Sequence, residues 1–260
     1  MIGIYFSSTG NSKYCAEKFC GYYKPGSPVY SIEDPNIIEK IRDSQELLIS
    51  YLVYFSSIPK IMQDFIFDHP KLWKRKKVYI IATMALFSGD GAGIMGRLLK
   101  EFGAEVVGGI HVKMPDNISD EKFFNRKDTE IKKVIARADE KIFNCVKDIF
   151  KGDGPQQGMG NLSFLAGFLG QRMFFGKKTK YYSDRLKINA SRCIGCGKCV
   201  SLCPTKNIYL KDKKAMSQNR CTYCYRCVNH CPSQAITLLG KEVFKQYYID
   251  QYLSLAEDRV

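Results

Sequence analysis

Eight of the eleven cysteines in the chain fall into two copies of one closely spaced pattern. The copies are Cys193-Ile-Gly-Cys196-Gly-Lys-Cys199-Val-Ser-Leu-Cys203-Pro204 and Cys221-Thr-Tyr-Cys224-Tyr-Arg-Cys227-Val-Asn-His-Cys231-Pro232. A C-x2-C-x2-C-x3-C-P run is typical of segments that hold a cubane iron–sulfur cluster. Zinc sites usually take their four ligands as two separated pairs, and disulfides need an oxidising compartment, for which the sequence gives no signal. The pattern therefore predicts tight cysteine loops around two [4Fe–4S] clusters.

The same pattern predicts how the eight thiolates are shared between the clusters. In two-cluster segments, three cysteines of a run bind one cluster and the fourth binds the other. We therefore expect one cluster on Cys193, Cys196, Cys199 and Cys231, and the other on Cys221, Cys224, Cys227 and Cys203. The two halves also end alike, in Cys-Pro-Thr-Lys-Asn-Ile and Cys-Pro-Ser-Gln-Ala-Ile, which indicates a pseudo-twofold module over residues 188–240.

Residues 1–150 alternate short apolar runs with helical patterns. Strands are predicted at Ile2–Phe6, Val29–Ile32, Leu47–Val53, Val78–Thr83 and Glu105–Val112. Helices are predicted near Ser12–Tyr22, Asn36–Arg42, Ile58–Asp68, Gly91–Phe102 and Thr129–Phe150. This alternation predicts an α/β domain whose parallel sheet is covered on both faces.

The first predicted strand leads into Ser7-Ser8-Thr9-Gly10-Asn11-Ser12 and then into a helix. Hydroxyl and N–H groups at a helix N-terminus form a site for an anion. The loop resembles the phosphate loop of flavodoxins. It has neither the Gly-x4-Gly-Lys-Ser/Thr of nucleotide-hydrolysing loops nor the Gly-x-Gly-x-x-Gly of dinucleotide sites. We expect this loop to hold the phosphate of FMN; a simple helix cap is the alternative.

Two further loops are expected to border the flavin ring. Ligands of such sheets lie at the carboxyl ends of the strands, where the winding of the sheet reverses. The candidates there are Tyr54, Phe55 and Ser56 after the third strand, and Thr83, Met84, Phe87, Gly89 and Asp90 at the end of the fourth. Aromatic side chains in these loops can stack on the ring, and core packing is the alternative role for Phe55.

The fifth strand is followed by Val112-Lys-Met-Pro115-Asp116-Asn117. Together with the phosphate loop, the ring loops and the cysteine runs, this segment makes nearly the whole chain resemble the fused flavodoxin-domain/ferredoxin-domain proteins of anaerobic bacteria and archaea. This group is often called the EFR-type ferredoxin family. The resemblance implies a five-stranded flavodoxin-like sheet that binds FMN, followed by a ferredoxin-like domain with two [4Fe–4S] clusters. Because a cubane cluster changes by one electron and FMN by one or two, we expect electron transfer between clusters and FMN, with reduction of a small acceptor or a partner protein.

The resemblance is poorest across residues 151–187, where we expect a linker and an interdomain segment. Lys151–Gly160 contains the glycines and proline of a linker. Leu162–Phe175 is apolar, and a helix without a polar face is usually buried. We therefore expect residues 161–176 to pack between the domains, with weak association to a membrane surface as the alternative. A helical tail is predicted for residues 241–260.

The chain carries a formal charge of +14, which two oxidised clusters and one flavin phosphate lower to roughly +8. Residues 192–231 contain eight lysines and arginines and one acid, Asp212, so an acidic redox partner is expected. No nucleic-acid motif accompanies the charge, and no apolar run is long enough for a membrane span. We expect a cytoplasmic electron-transfer protein. A pure redox carrier without a small-molecule substrate and an oxygen-sensing protein are the alternatives.

Overall fold

The computed structural model describes residues 1–54, 57–87, 89–167 and 185–253, which form two compact units. The first unit comprises residues 1–7, 11–115 and, among the described residues, 132–167. The second unit comprises residues 8–10, 116–131 and 185–253. Two loop segments of the N-terminal half therefore group with the cysteine-rich part of the chain.

The first unit contains one parallel sheet of five strands. These are β1 (Ile2–Phe6), β2 (Val29–Ser31), β3 (Glu46–Leu52), β4 (Lys77–Met84) and β5 (Glu105–Lys113). Their order in the sheet is β2-β1-β3-β4-β5, and every neighbouring pair is parallel. This is the flavodoxin-like order, in which the winding reverses between β1 and β3. The predicted fold class and all five predicted strands are confirmed.

Five helices alternate with these strands, as the sequence predicts. They are α1 (Asn11–Tyr23), α2 (Ile37–Asp43), α3 (Lys60–Asp68), α4 (Gly91–Glu101) and α5 (Asp128–Phe150). A short helix, α6 (Asn161–Gly167), follows α5.

The core of the first unit lies around β4, which is buried on both faces. Its residues from Val78 to Ala82 are each at most 5% exposed, as expected for a continuously apolar central strand. Cys15, Cys20 and Cys145, which belong to neither cysteine run, are also buried. Burial raises the pKa of Cys20 and that of Cys145 to about 12, so both are protonated packing residues.

Residues 151–160, the predicted linker, contain no helix or strand, and they pair with the open edge of β5. The Gly109 N–H donates to Pro155 O at 2.7 Å, and the Gln157 N–H donates to Gly109 O at 2.9 Å. An edge strand has backbone groups without a strand partner, and this segment satisfies some of them. The segment is therefore part of the first unit.

The beginning of the apolar segment has exposed side chains, and its packing between the domains stays a prediction. Leu162, Phe164 and Leu165 are 85%, 43% and 49% exposed. The guanidinium of Arg97, on α4, lies 4.9 Å from the ring centre of Phe164. In its described part the segment thus lies on α4 with apolar side chains exposed. Residues 168–176 of the predicted interdomain segment lie outside the described residues.

The described part of the second unit has four short strands, and each cysteine run contains a one-turn helix. The strands are β6 (Lys187–Ile188), β7 (Ile208–Lys211), β8 (Lys214–Ser217) and β9 (Ile236–Thr237). β6 pairs with β9 and β7 with β8, both antiparallel. The helices, α7 (Lys198–Leu202) and α8 (Arg226–His230), each carry the third cysteine of one run. The two cysteine runs therefore have the same local structure, with a one-turn helix around the third cysteine of each.

The tail was predicted to be helical, but residues 241–249 contain no helix and only α9 (Asp250–Leu253) does. The N–H groups of Phe244, Tyr247 and Ile249 instead donate, at 2.9 Å each, to Ser119 O, Asn229 Oδ1 and Thr9 O. Loops of the second unit therefore satisfy the donors that a helix would have used. Residues 254–260 lie outside the described part of the chain.

Candidate iron–sulfur and flavin sites

Two cavities in the second unit are each lined by four cysteines of the pattern. A cavity of about 20 Å³ is lined by Cys193, Cys196, Cys199 and Cys231. A cavity of about 10 Å³ is lined by Cys203, Cys221, Cys224 and Cys227. In the described part of the chain, no three His, Cys, Asp or Glu side chains are close enough together to hold a single metal ion. Each cavity brings together three cysteines of one run and the last cysteine of the other. We call the cysteines of the first cavity the first cysteine set and those of the second cavity the second cysteine set.

The turns within both cysteine runs require left-handed backbone. Gly195 and Gly197 in the first run have φ angles of 70° and 73°, which glycine adopts without a steric penalty. Tyr223 and Tyr225 occupy the equivalent positions of the second run, with φ angles of 62° and 61°. A left-handed residue with a side chain costs about 1–2 kcal/mol. Other contacts must therefore stabilise the second run.

The side chain of Tyr225 provides such a contact. Its ring is buried in the lining of the second cavity, and its hydroxyl donates to Asp120 Oδ1 at 2.8 Å. The other carboxylate oxygen of the buried Asp120 accepts the N–H groups of Leu238 (2.6 Å) and Leu239 (3.0 Å). Burial and the nearby carboxylate raise the pKa of Tyr225, which keeps the hydroxyl protonated as a donor. Asp120 thus joins the loop after β5 to the cysteine loops.

Backbone N–H groups donate to the sulfur of the last cysteine in each run. The Asn207 N–H donates to Cys203 Sγ at 3.2 Å, and the Ala235 N–H donates to Cys231 Sγ at 3.3 Å. Both donors lie four residues after the cysteine, so the two halves repeat in three dimensions as well as in sequence. Hydrogen bonds to cluster sulfurs are one of the features that set a cluster's reduction potential.

Burial disfavours free thiolates in both cavities. It raises the pKa of Cys199 to about 11 and that of Cys221 to about 12, and other cysteines of the same set add to each shift. At the edge of the first cavity, the N–H of Ala215 lowers the pKa of Cys193. Metal binding deprotonates cysteine ligands and compensates their charge. Two sets of four thiols around cavities therefore fit two iron–sulfur clusters.

The two cavities differ in exposure. Cys196 in the first set is exposed, and the neighbouring Ile194 is 67% exposed. None of the second set is exposed: Cys224 and Cys227 are buried, and Cys203 and Cys221 are half-buried. The first set is therefore the more accessible of the two to a second protein.

The predicted phosphate loop, Ser7–Ser12, joins β1 to α1. Ser8, Thr9, Asn11 and Ser12 are each at most 8% exposed, and Gly10 has a φ of 90°, a conformation that favours glycine. Helix α1 begins at Asn11, and the first N–H groups of any helix lack partners within the helix. Hydroxyls, N–H groups and a glycine turn at this point fit a single phosphate group.

Polar side chains of the first unit fix the end of this loop. Ser12 Oγ lies 2.9 Å from Thr83 Oγ1, and Ser50 Oγ donates to Ser12 O at 2.8 Å. Asn11 Nδ2 donates to Pro115 O at 2.8 Å. Thr83, expected near the flavin ring, is thus brought beside the phosphate loop.

The other ring candidates occupy varied environments. Tyr54 pairs with Ser57 through two backbone hydrogen bonds of 3.1 and 2.8 Å, while Phe55 and Ser56 lie outside the described residues. The Met84 carbonyl accepts the N–H of Met114 at 2.8 Å, which extends the pairing of β4 with β5. Contact of these residues with a flavin ring stays a prediction.

In the loop after β4, Phe87 is 50% exposed, as is the neighbouring Leu86 at 54%. Gly89 has a φ of 58°. Asp90 is buried, and its carboxylate pairs with Arg97. The loop therefore offers two exposed apolar side chains: Phe87, which the sequence predicts as a ring contact, and Leu86, which it does not.

Two residues outside the predicted site hold the middle of the phosphate loop. Asn117 Nδ2 donates to Ser8 Oγ at 3.0 Å, and the Ile249 N–H donates to Thr9 O at 2.9 Å. Both residues lie more than a hundred positions from the loop in the sequence, so no local sequence signal could have identified them as its partners.

Comparison with known proteins gives matches to each half of the chain. A family model described as "4Fe-4S dicluster domain" matches residues 185–241. The two-electron reduced flavodoxin of Megasphaera elsdenii is 26% identical, covers 45% of this chain and 90% of its own, and has a TM-score of 0.38. Oxidised flavodoxin 2 of Bacillus cereus is 17% identical, covers 58% of this chain and 97% of its own, and has a TM-score of 0.44. No curated protein matches the chain.

The chain thus has a fused architecture. A five-stranded sheet with the flavodoxin-like strand order precedes a region similar to 4Fe–4S dicluster domains, as the resemblance implies. None of the helices in the described residues is long and apolar enough to cross a membrane.

Proposed function

We propose that the protein is an iron–sulfur flavoprotein that transfers electrons between two [4Fe–4S] clusters and FMN. The observation that carries this proposal is the pair of cysteine-lined cavities, each built from three cysteines of one run and the fourth of the other. The strand order and the phosphate loop at the end of β1 support the flavin part.

The residues of the chain would hold and tune these groups. The first and second cysteine sets would each bind one cluster, and Ser7–Ser12 would bind the FMN phosphate at the start of α1. When bound, each cluster supplies a one-electron change and FMN a change of one or two electrons. The hydrogen bonds of Asn207 and Ala235 to cysteine sulfurs would adjust the cluster potentials, and the lower exposure of the second set would limit the access of water.

The first cysteine set is the proposed site at which electrons pass to or from a partner protein. Its cavity is lined by Ile194 and Leu210, which are 67% and 43% exposed. Lys214 lies beside it and donates to the Cys193 carbonyl at 2.7 Å. With eight basic residues between positions 192 and 231 and only Asp212 as an acid, this surface suits an acidic redox protein.

A pure redox carrier without a small-molecule substrate is the second candidate, and the basic surface around the first cysteine set favours it. The exposed Leu86 and Phe87 favour the first candidate, since they leave apolar side chains available to a ligand after β4. Multiple turnovers with a small acceptor, under anaerobic conditions, support a reductase. Turnover only with acidic proteins supports the carrier.

An anaerobic reductive titration tests the proposed function. The wild-type protein should take up about four electrons per chain, one for each cluster and two for FMN. The matched variant Thr9→Val, with a weakened phosphate loop, should take up about two when it is isolated without flavin. A wild-type protein that takes up electrons into only one kind of centre contradicts the proposal.

A further inference from the structure

The side-chain amide of Asn117 connects the phosphate loop with the cysteine loops inside the second unit. Its two N–H groups donate to Ser8 Oγ at 3.0 Å and to the Cys224 carbonyl at 3.2 Å. An asparagine amide has two donors, and both are directed to acceptors here. One acceptor lies in the phosphate loop and the other on a cysteine of the second set.

The backbone of Asn117 is fixed by a second asparagine. Asn229 is fully buried on α8, and its Nδ2 donates to Asn117 O at 2.7 Å. The Oδ1 of Asn229 accepts the Tyr247 N–H at 2.9 Å. Asn229 lies between Cys227 and Cys231 in the sequence, so the placement of Asn117 depends on the fold of the second cysteine run.

The tail holds the same loop at the next two positions. The Ile249 N–H donates to Thr9 O at 2.9 Å. A Cβ atom added to Gly10 would collide with the Cγ2 of Ile249. Three consecutive residues of the phosphate loop, Ser8–Gly10, are therefore held by the second unit, to which they belong.

We propose, resting on the proposed function, that Asn117 is a positioning residue that couples FMN affinity to the assembly of the cysteine-rich unit. Cluster binding orders the cysteine loops, because such sites are not preformed in the unfolded chain. Ordered loops place Asn117, and Asn117 places Ser8 in the phosphate loop. By linkage, clusters strengthen FMN binding, and FMN strengthens cluster retention by the same factor.

The test compares FMN dissociation constants, measured from flavin fluorescence, for wild type, Asn117→Ala and the control Asn125→Ala. Asn125 is an exposed asparagine of the same loop segment. With clusters loaded, we expect Asn117→Ala to bind FMN about tenfold more weakly, the size expected for two lost hydrogen bonds. The control should bind like wild type.

A second arm measures the coupling itself. The same constants are measured after chelation has removed the clusters. Wild type should lose most of its affinity for FMN, whereas Asn117→Ala should change little, because its loop no longer depends on the cysteine loops. A loss that is equal in wild type and variant overturns the proposal.

The remaining outcomes separate this inference from the proposed function. If wild type binds FMN and Asn117→Ala binds it equally well, the inference fails and the proposed function stands. If wild type binds no FMN, the proposed function fails. Hydrogen–deuterium exchange of residues 8–10 in flavin-free, cluster-loaded protein then tests the inference. Faster exchange in Asn117→Ala than in Asn125→Ala supports it, and equal exchange overturns it.

Discussion

Replacing the buried Asp120 with alanine should destabilise the second unit more than the loss of any exposed or half-buried acid. The Asp120 carboxylate is 1% exposed and accepts hydrogen bonds from three donors: the Tyr225 hydroxyl, the Leu238 N–H and the Leu239 N–H. Alanine would leave all three donors without this acceptor. Tyr225 would also lose the contact that stabilises its left-handed backbone.

The expected magnitude follows from the number of donors. Leaving one buried donor without a partner costs about 1–3 kcal/mol, and partial relaxation around the small alanine reduces the sum. We therefore expect Asp120→Ala to lower the free energy of unfolding by about 3–5 kcal/mol. Asp120→Asn keeps one oxygen acceptor and should cost about 1–2 kcal/mol, and Tyr225→Phe about 1 kcal/mol.

Anaerobic guanidinium titration, followed by the visible absorbance of the clusters, measures this effect. The midpoint for Asp120→Ala should fall by about 1 M, given typical guanidinium slopes. Glu121→Ala, which removes the neighbouring acid, is the matched control and should shift the midpoint little. An unchanged midpoint for Asp120→Ala, or a shift equal to that of the control, would refute the role assigned to Asp120.

Three further predictions concern the cysteine sets, the phosphate loop and a half-buried histidine. Cys231→Ala should remove the cluster signal of the first set and leave that of the second, as seen by electron paramagnetic resonance; loss of the second signal alone contradicts the crossed division. Thr9→Val should weaken FMN binding about tenfold while iron content stays constant; an unchanged dissociation constant contradicts the phosphate site. Burial lowers the pKa of His111 to about 4, so the unfolded chain binds its proton first as pH falls below about 6.5, and stability is lost between pH 6.5 and 4. Guanidinium unfolding followed by Trp73 fluorescence should show a decrease of about 1 kcal/mol from pH 7.5 to 5.5 that His111→Gln lacks; an equal decrease in that variant contradicts the assignment.

Local patterns in the sequence predicted most of the fold. Helical and strand periods gave the five strands to within one residue, because each element buries a face that its own sequence encodes. The cysteine spacing likewise predicted which side chains meet in each cavity. The periods of helices and strands and the spacing of the cysteines are both patterns among residues a few positions apart in the sequence.

Features that depend on distant partners were not predicted from the sequence. Residues 151–160 have the composition of a linker, and the pairing of their backbone groups with Gly109 on β5 was not predicted. Residues 241–249 have a helical pattern, but their N–H groups donate to distant loops. For the same reason Asp120 was not singled out and Asn117 was not assigned to the phosphate site, since their partners lie more than a hundred positions away. Tertiary hydrogen bonds of this kind override local propensity.

The most direct test of the account is the cofactor content of anaerobically purified protein. Two [4Fe–4S] clusters and one flavin require about eight iron atoms, eight acid-labile sulfides and one released FMN per chain. This result is the one that the two cysteine-lined cavities and the phosphate loop predict. About four irons per chain at full occupancy, zinc in place of iron, or a protein that binds no FMN would contradict it.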